Sequence, residues 1–283
     1  MKQTLCTVAS NLELMPGVYL MWIEAPDIAV TAQPGQFITV RCGDFTLRRP
    51  FSVHQISSQE LALLFKVAGK GTLWLSQQKK GDRIDILGPL GKGFTIEPKA
   101  RNLLLVAGGI GIAPLVFLMQ HASSQHQITL IHGASAAAQL YPFSSTSRKP
   151  SKLPPLPNGV QYIPITEDGS MGQKGKVTDI LPDFLNWADQ IYACGPVDMY
   201  KAMALSLNPS PLKGEEKTIV GEGLVPSHNL KLKKCQVSLE VRMGCGFGAC
   251  YSCTIKTRKG LKRVCRDGPV FELDDIIWQE VKI

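Results

Sequence analysis

Apolar residues in the first hundred positions come in short runs, some continuous and some alternating with polar ones, at Val18 to Ile23, Phe37 to Arg41, Leu61 to Val67 and Arg83 to Leu87. Pro-Gly, Gly-Asp and Lys-Gly turns separate them. Short runs with turn residues between them predict the strands of an antiparallel sheet or barrel. From Arg101 the units lengthen: Leu103 to Ala107, an apolar helix, Ile128 to His132, and later Gln190 to Ala193 ahead of Pro196 to Leu207. Strand alternating with helix predicts a parallel α/β sheet.

Two segments lack apolar periodicity. Asn208 to Asn229 is rich in Pro, Gly, Ser and charge and reads as a linker or surface insertion, and Ser144 to Asn158 reads as an exposed loop. The chain from about Lys233 onward is a compact cysteine-bearing module. The expected division is therefore an antiparallel β-barrel domain over 1–98, a parallel α/β domain over 99–207, a linker or insertion over 208–232, and a small module over 233–283.

The uncharged stretch Leu103 to Met119 approaches the roughly 20 residues that span a bilayer. Gly108, Gly109, Gly111 and Pro114 break it into a strand, a turn and a helix, so no membrane span is expected. Met1 to Leu5 opens no apolar stretch of the kind that leads a secretory signal, which makes the cytoplasm the expected location and disfavours disulfides. Hydrophobic residues at 44% against 19% charged support folded cores over a disordered chain. Lys and Arg exceed Asp and Glu by 31 to 23, a formal charge of +8, which admits acidic partners such as nucleotides. The basic runs are short and no nucleic-acid motif accompanies them, so nucleic acid is not an expected partner.

Four of the 8 cysteines stand at Cys245, Cys250, Cys253 and Cys265, a C-x4-C-x2-C-x11-C arrangement with Gly244, Gly246 and Gly248 around the first. Glycines let a loop fold tightly around an inorganic core and aim backbone N–H groups at its sulfurs. The C-x4-C-x2-C opening is the plant-type [2Fe-2S] spacing, although the fourth cysteine follows sooner than in a plant-type ferredoxin. A four-cysteine zinc site is the competing reading, but it usually shows two separate short knuckles, whereas here both short gaps share Cys250. Cys6, Cys42 and Cys235 are isolated and read as ordinary buried or partly exposed thiols.

Two further motifs suit a redox cofactor and a nucleotide. Arg49-Pro50-Phe51-Ser52, with Leu64-Phe65-Lys66 and Gly69-Lys70-Gly71-Thr72, puts a cation and a hydroxyl at a strand end, able to hold a pyrophosphate and the edge of a flavin ring. Alone, Arg-Pro-Phe-Ser is a weak signal, and a plain strand-end turn is the reading it would have in most proteins. Val106 to Pro114 runs a strand into a glycine turn and a helix N-terminus, which favours phosphate. Pro114 occupies the third glycine position of a dinucleotide fingerprint, so a plain strand-to-helix turn stays open. Ala193-Cys194-Gly195-Pro196 ends another expected strand, which would set Cys194 beside the glycine turn.

In this order, Arg-Pro-Phe-Ser, Gly-x-Gly-Thr, Gly-Gly-Ile-Gly-x-Ala-Pro and Cys-Gly-Pro resemble the ferredoxin-NADP reductase superfamily. Arg242 to Cys250 and Val264 to Phe271 narrow the resemblance to the electron-transfer subunits of NAD-linked dihydroorotate dehydrogenases. It covers nearly the whole chain, including Thr166 to Ser170 and Gly175 to Thr178, apart from about 208–229. Val53 stands where isoleucine is expected, and Ser135 stands where relatives often carry arginine.

The resemblance implies an FAD-binding barrel, a nicotinamide-binding α/β domain and a C-terminal [2Fe-2S] module. FAD would be held by Arg49, Pro50, Phe51, Ser52, Leu64, Phe65, Lys66, Gly71 and Thr72. NAD would be held by Gly108, Gly109, Gly111, Pro114, Gly195 and Pro196, with Cys194 as the catalytic residue near the nicotinamide. Cys245, Cys250, Cys253 and Cys265 would bind the cluster. The implied partner is an FMN-containing dihydroorotate dehydrogenase catalytic subunit, two of each forming a heterotetramer. Subunits of the same build in a sulfhydrogenase or a ferredoxin-NADP oxidoreductase are the nearest rival, and a zinc-bound interaction module without turnover is the rival from another class. The basic stretch Lys256 to Arg263 is either a solvated hairpin or a face for the partner.

Overall fold

The computed structural model describes residues 1–143, 155–207 and 233–281. The expected linker over 208–232 and most of the expected loop at Ser144 to Asn158 lie outside the described residues. Two seven-stranded sheets and one hairpin organise the rest.

The first sheet is antiparallel and is built from β1 (Lys2–Met15), β2 (Val18–Glu24), β3 (Phe37–Arg41), β4 (Arg49–Ser52), β5 (Gln55–Ser57), β6 (Glu60–Lys66) and β7 (Arg83–Leu90), in the order β4-β3-β7-β1-β2-β6-β5. It curls around Val8, Met21, Ile38, Val40, Leu63 and Ile86. The short helices α1 (Pro26–Ala29) and α2 (Lys70–Ser76) sit in its connections. β1 carries no clean alternation because its register against β2 shifts between Val8 and Ser10 and between Glu13 and Met15. Such bulges break the period-two pattern that makes a strand visible in sequence.

The second sheet has the order β11-β10-β9-β8-β12-β13-β16. Its strands are β8 (Asn102–Gly108), β9 (Gln127–Ala134), β10 (Val160–Thr166), β11 (Gln173–Lys174), β12 (Gln190–Cys194), β13 (Lys234–Ser238) and β16 (Val270–Glu272), all parallel except the last. On one face α3 (Ile112–Ala122) packs with Leu105, Leu115 and Leu130 against Trp22 and Leu64 of the barrel. Pro114 lies in the first turn of α3, where a missing N–H breaks no hydrogen bond. The other face is covered by α4 (Val177–Leu185), α5 (Val197–Leu207) and the cysteine module.

That module contributes the hairpin β14 (Thr254–Thr257) and β15 (Gly260–Arg263) and the turn of helix α6 (Val264–Asp267). Its flanking strands β13 and β16 are members of the α/β sheet, because Gln190 to Ala193 pair in parallel with Lys234 to Val237. The cysteine loop is thus held at the sheet edge from both sides. No helix of the described residues is long and apolar enough to cross a membrane.

Candidate functional site

The four clustered cysteines come together as two pairs. Cys253 and Cys265 Sγ lie 3.2 Å apart. Cys245 and Cys250 are joined by backbone donors, Cys250 N–H to Cys245 Sγ at 3.4 Å and Cys245 N–H to Cys250 Sγ at 3.3 Å. Ala249 N–H also reaches Cys245 Sγ at 3.2 Å, and Cys265 N–H reaches Cys253 Sγ at 3.4 Å. Two thiols for each of two irons, with amides aimed at the sulfurs, fit a [2Fe-2S] core.

The pairs differ in surroundings. Cys253 and Cys265 are buried, whereas Cys250 is exposed and Cys245 half-buried. Burial, then the neighbouring Cys253, pushes the Cys265 thiol up to about 12. The Ser252 hydroxyl, followed by backbone N–H groups, brings Cys250 down to about 6. Cys6, Cys42 and Cys235 are buried free thiols.

Three of the five hairpin cations between Cys253 and Cys265, Lys256, Lys259 and Arg263, are engaged within the module. Lys256 pairs with Glu280 at 2.8 Å and Lys259 with Asp275 at 2.7 Å. Arg263 donates to the Gly248 carbonyl at 2.7 Å and lies over the Tyr251 ring, 4.7 Å from its centroid. These contacts give the basic stretch a bracing role around the cysteine loop.

Every residue of Arg49-Pro50-Phe51-Ser52 and of Leu64-Phe65-Lys66 lines one cleft of about 730 Å³. Ile110 and Ala113 close it from the α/β domain, and Leu239 to Met243 from the segment leading into Cys245. Its volume and largely apolar walls suit a flat aromatic ring system. Gly71 and Thr72 stand outside that lining. A Cβ at Gly71 would come within 3.0 Å of Arg49 Nε, so glycine lets the guanidinium lie across the start of α2. Thr72 Oγ1 accepts from Ala68 and Gly69 N–H at 2.9 and 3.1 Å, and so shapes that loop.

Glu240 lines the cleft, and desolvation raises its carboxyl above the usual carboxylate range. Sequence reasoning passed over it and its neighbours Leu239 and Val241, and used Arg242 and Met243 for the resemblance without placing them at the flavin cleft. Their place directly before the first cluster cysteine was the signal available.

Gly108, Gly109 and Gly111 form the turn between β8 and α3, against the end of β12. A Cβ at Gly111 would lie 2.1 Å from the Cys194 carbonyl oxygen, and one at Gly108 would lie 2.7 Å from Pro196 Cδ. Only glycine permits this approach, which brings the two expected nicotinamide motifs into contact. Pro114 is buried on α3. Gly195 N–H donates to Tyr200 Oη at 2.8 Å, and that hydroxyl donates to the Ser238 carbonyl at 2.7 Å. Cys194 meets the glycine turn through its carbonyl. Its thiol is 1% exposed, points toward the Ser238 carbonyl at 3.6 Å, and is raised by burial.

Two fully buried histidines tie this turn to the rest of the chain. His132 Nε2 donates to the Gly109 carbonyl at 3.1 Å. His54, two residues past Ser52, donates from Nδ1 to the Ala113 carbonyl at 2.8 Å, and its Nε2 accepts from Tyr141 Oη at 3.0 Å. A carbonyl only accepts, which fixes the tautomer of each ring. Burial lowers both imidazoles to about 4.

A family model described as the iron-sulfur cluster binding domain of dihydroorotate dehydrogenase B matches residues 240–277, which hold all four cluster cysteines. An oxidoreductase NAD-binding domain model matches 105–204, which hold the glycine turn and Cys194 to Pro196. The dihydroorotate dehydrogenase B (NAD(+)) electron transfer subunit of Desulforamulus reducens is 40% identical over 93% of this chain and 94% of its own. The chain belongs to the family of dihydroorotate dehydrogenase B electron transfer subunits. The family member of Caldanaerobacter subterraneus subsp. tengcongensis is 35% identical over 96% of this chain and 97% of its own.

Solved structures agree on the architecture. An NADH-dependent reduced ferredoxin-NADP oxidoreductase, studied for flavin-based electron bifurcation, superposes with a TM-score of 0.78 at 28% identity, covering 98% of this chain and 91% of that one. A ferredoxin NADP+ reductase from Neisseria gonorrhoeae, solved with FAD and NADP, gives a TM-score of 0.60 at 18% identity over 73% of this chain, which is a likeness of fold.

Proposed function

We propose that this chain carries electrons from an FMN-containing dihydroorotate dehydrogenase subunit, through a [2Fe-2S] cluster and FAD, to NAD+. The observation that carries the reading is a shared wall: Leu239 to Met243 line the cleft and run directly into Cys245, so the flavin and cluster sites are adjacent by covalent connection. FAD, when bound, supplies the conversion between hydride transfer to NAD and single-electron transfer to the cluster.

The residues divide the work. Cys245 and Cys250 would hold one iron, and Cys253 and Cys265 the other. Arg49 to Ser52 and Leu64 to Lys66 line the cleft for the flavin ring, with Gly71 leaving room for Arg49 to reach a phosphate. Gly108, Gly109, Gly111 and Pro114 shape the nicotinamide nucleotide turn, and Gly195 and Pro196 close it from β12. Cys194, expected near the nicotinamide as the catalytic residue, backs that loop with its carbonyl, while its buried thiol faces the Ser238 carbonyl of β13. Glu240 sets a carboxyl on the cleft wall, where it can hold a proton near the flavin edge.

Similarity to the ferredoxin-NADP oxidoreductase structure favours one rival, a subunit of the same build with another electron donor. One experiment separates the two. The purified chain, reconstituted anaerobically, is expected to show flavin and iron-sulfur absorption that bleach with NADH. Adding an FMN dihydroorotate dehydrogenase subunit should give dihydroorotate-dependent NAD+ reduction and a heterotetramer of two of each. Bleaching without that activity or assembly would favour the rival donor.

A further inference from the structure

We propose that Ser252 tunes the cluster: its hydroxyl donates a hydrogen bond to Cys250 Sγ and makes the cluster easier to reduce. The inference rests on the cluster reading above and adds a side chain to it.

The proton positions follow from the neighbours. Gly244 N–H donates to Ser252 Oγ at 2.8 Å, so this oxygen already serves as an acceptor. Its own proton remains, and Cys250 Sγ stands 3.2 Å away. A thiolate bound to iron has no proton to give, so Ser252 is the donor. Gly244 makes the arrangement possible, since a Cβ there would lie 3.0 Å from both Cys250 Sγ and Ser252 Oγ. Three residues thus form one relay, from the Gly244 amide through the Ser252 hydroxyl to the Cys250 sulfur.

Reduction adds one negative charge to the iron-sulfur core, and part of it resides on the ligand sulfurs. A donor aimed at such a sulfur stabilises the reduced form more than the oxidised one and raises the potential. Ser252 acts on the Cys245 and Cys250 pair, which is also the more exposed pair. Its hydroxyl therefore adds to the backbone donors already on those two sulfurs.

The test is the cluster midpoint potential, from anaerobic redox titration of the full chain followed by electron paramagnetic resonance, with iron and sulfide content measured on each sample. Ser252→Ala should keep a full cluster, shift its midpoint to a more negative value and leave the flavin midpoint in place. Ser252→Thr, which keeps the hydroxyl, should titrate with the parent. If Ser252→Ala fails to hold the cluster, Ser252→Val replaces it, because Thr and Val differ only by hydroxyl against methyl.

A hydroxyl-free variant with a full cluster at the parent midpoint would overturn the proposal while leaving the cluster reading intact. So would loss of the cluster from both Ala and Val variants with retention in Thr, which would make Ser252 a loop brace alone. A parent chain that takes up no iron and sulfide would remove the cluster reading itself.

Discussion

Gly246 of the cysteine loop lies against Thr39 of β3 so closely that a Cβ at position 246 would sit 2.7 Å from Thr39 Cγ2. Thr39 pairs across β3 and β4 with Pro50, a residue of the proposed flavin cleft. The loop after the first cluster cysteine therefore rests one strand away from the proposed flavin site. Gly246 also has a φ of +80°, a conformation that costs a residue with a Cβ about 1 kcal/mol. Gly246→Ala should lower the thermal midpoint by a few degrees and push the loop off the barrel. NADH-driven reduction of the cluster should slow several-fold in stopped-flow traces, with flavin reduction unchanged. Parent-like cluster kinetics would disconnect this contact from electron transfer.

Tyr200 joins the proposed nicotinamide loop to the cysteine module. Its ring stacks on Trp278 at 5.2 Å between centroids, and its hydroxyl bridges Gly195 N–H and the Ser238 carbonyl. Tyr200→Phe keeps the stack but leaves a partly buried amide without its acceptor, at a cost of about 1–3 kcal/mol. The expected result is a KM for NADH raised at least about 5-fold, since about 1.4 kcal/mol is a factor of ten. The cluster midpoint should not move. A KM equal to the parent's would show that the loop holds its shape without this hydroxyl.

The two buried histidines set an acid limit on stability. In the folded chain His54 and His132 take up a proton only near pH 4, about, whereas the unfolded chain protonates them near 6.5. Between those values the unfolded chain binds more protons, so stability falls as pH falls, by up to about 1.4 kcal/mol per pH unit for each ring. Above about pH 7.5 neither ring contributes a slope. Urea midpoints measured from pH 7.5 to 5 should show this decline, and His54→Gln should make it shallower. A parent profile flat between pH 6.5 and 5 would contradict the neutral, carbonyl-bound rings.

The Cys194 thiol is buried and held toward the Ser238 carbonyl, with burial raising its pKa. A thiol of this kind reacts slowly, because the thiolate is the nucleophile. In the cluster-free folded chain, iodoacetamide at pH 8 should label the exposed Cys250 and spare Cys194 until urea is added, as read by peptide mass spectrometry. Labelling of Cys194 at a rate like that of Cys250 in the folded chain would mean that the β12 to β13 edge opens.

Much of this molecule was readable before any fold was known. Runs such as Phe37 to Arg41 and Leu103 to Ala107 declared their strands because burial on one or both faces imposes a hydrophobic pattern that neighbours in sequence share. The C-x4-C-x2-C spacing and the glycines at 108, 109 and 111 stood out for a related reason: a tight loop of the kind that suits a cluster or a phosphate is a local event.

What tertiary structure alone decided depends on partners distant in sequence. Strand β13 joined the α/β sheet through pairing with β12, more than 40 residues earlier in the chain by their numbers, and no local signal separates that from a strand inside the module. Glu240 became a wall of the cleft, the Cys194 thiol turned inward, and His54 found its acceptor on α3, because side-chain surroundings are set by packing. The amino-acid sequence by itself determined which groups this protein has and which loops turn tightly enough to suit a cofactor. Only the closure of the barrel and sheet against each other decided which of those groups meet, since long-range contacts are chosen by the joint burial of three cores.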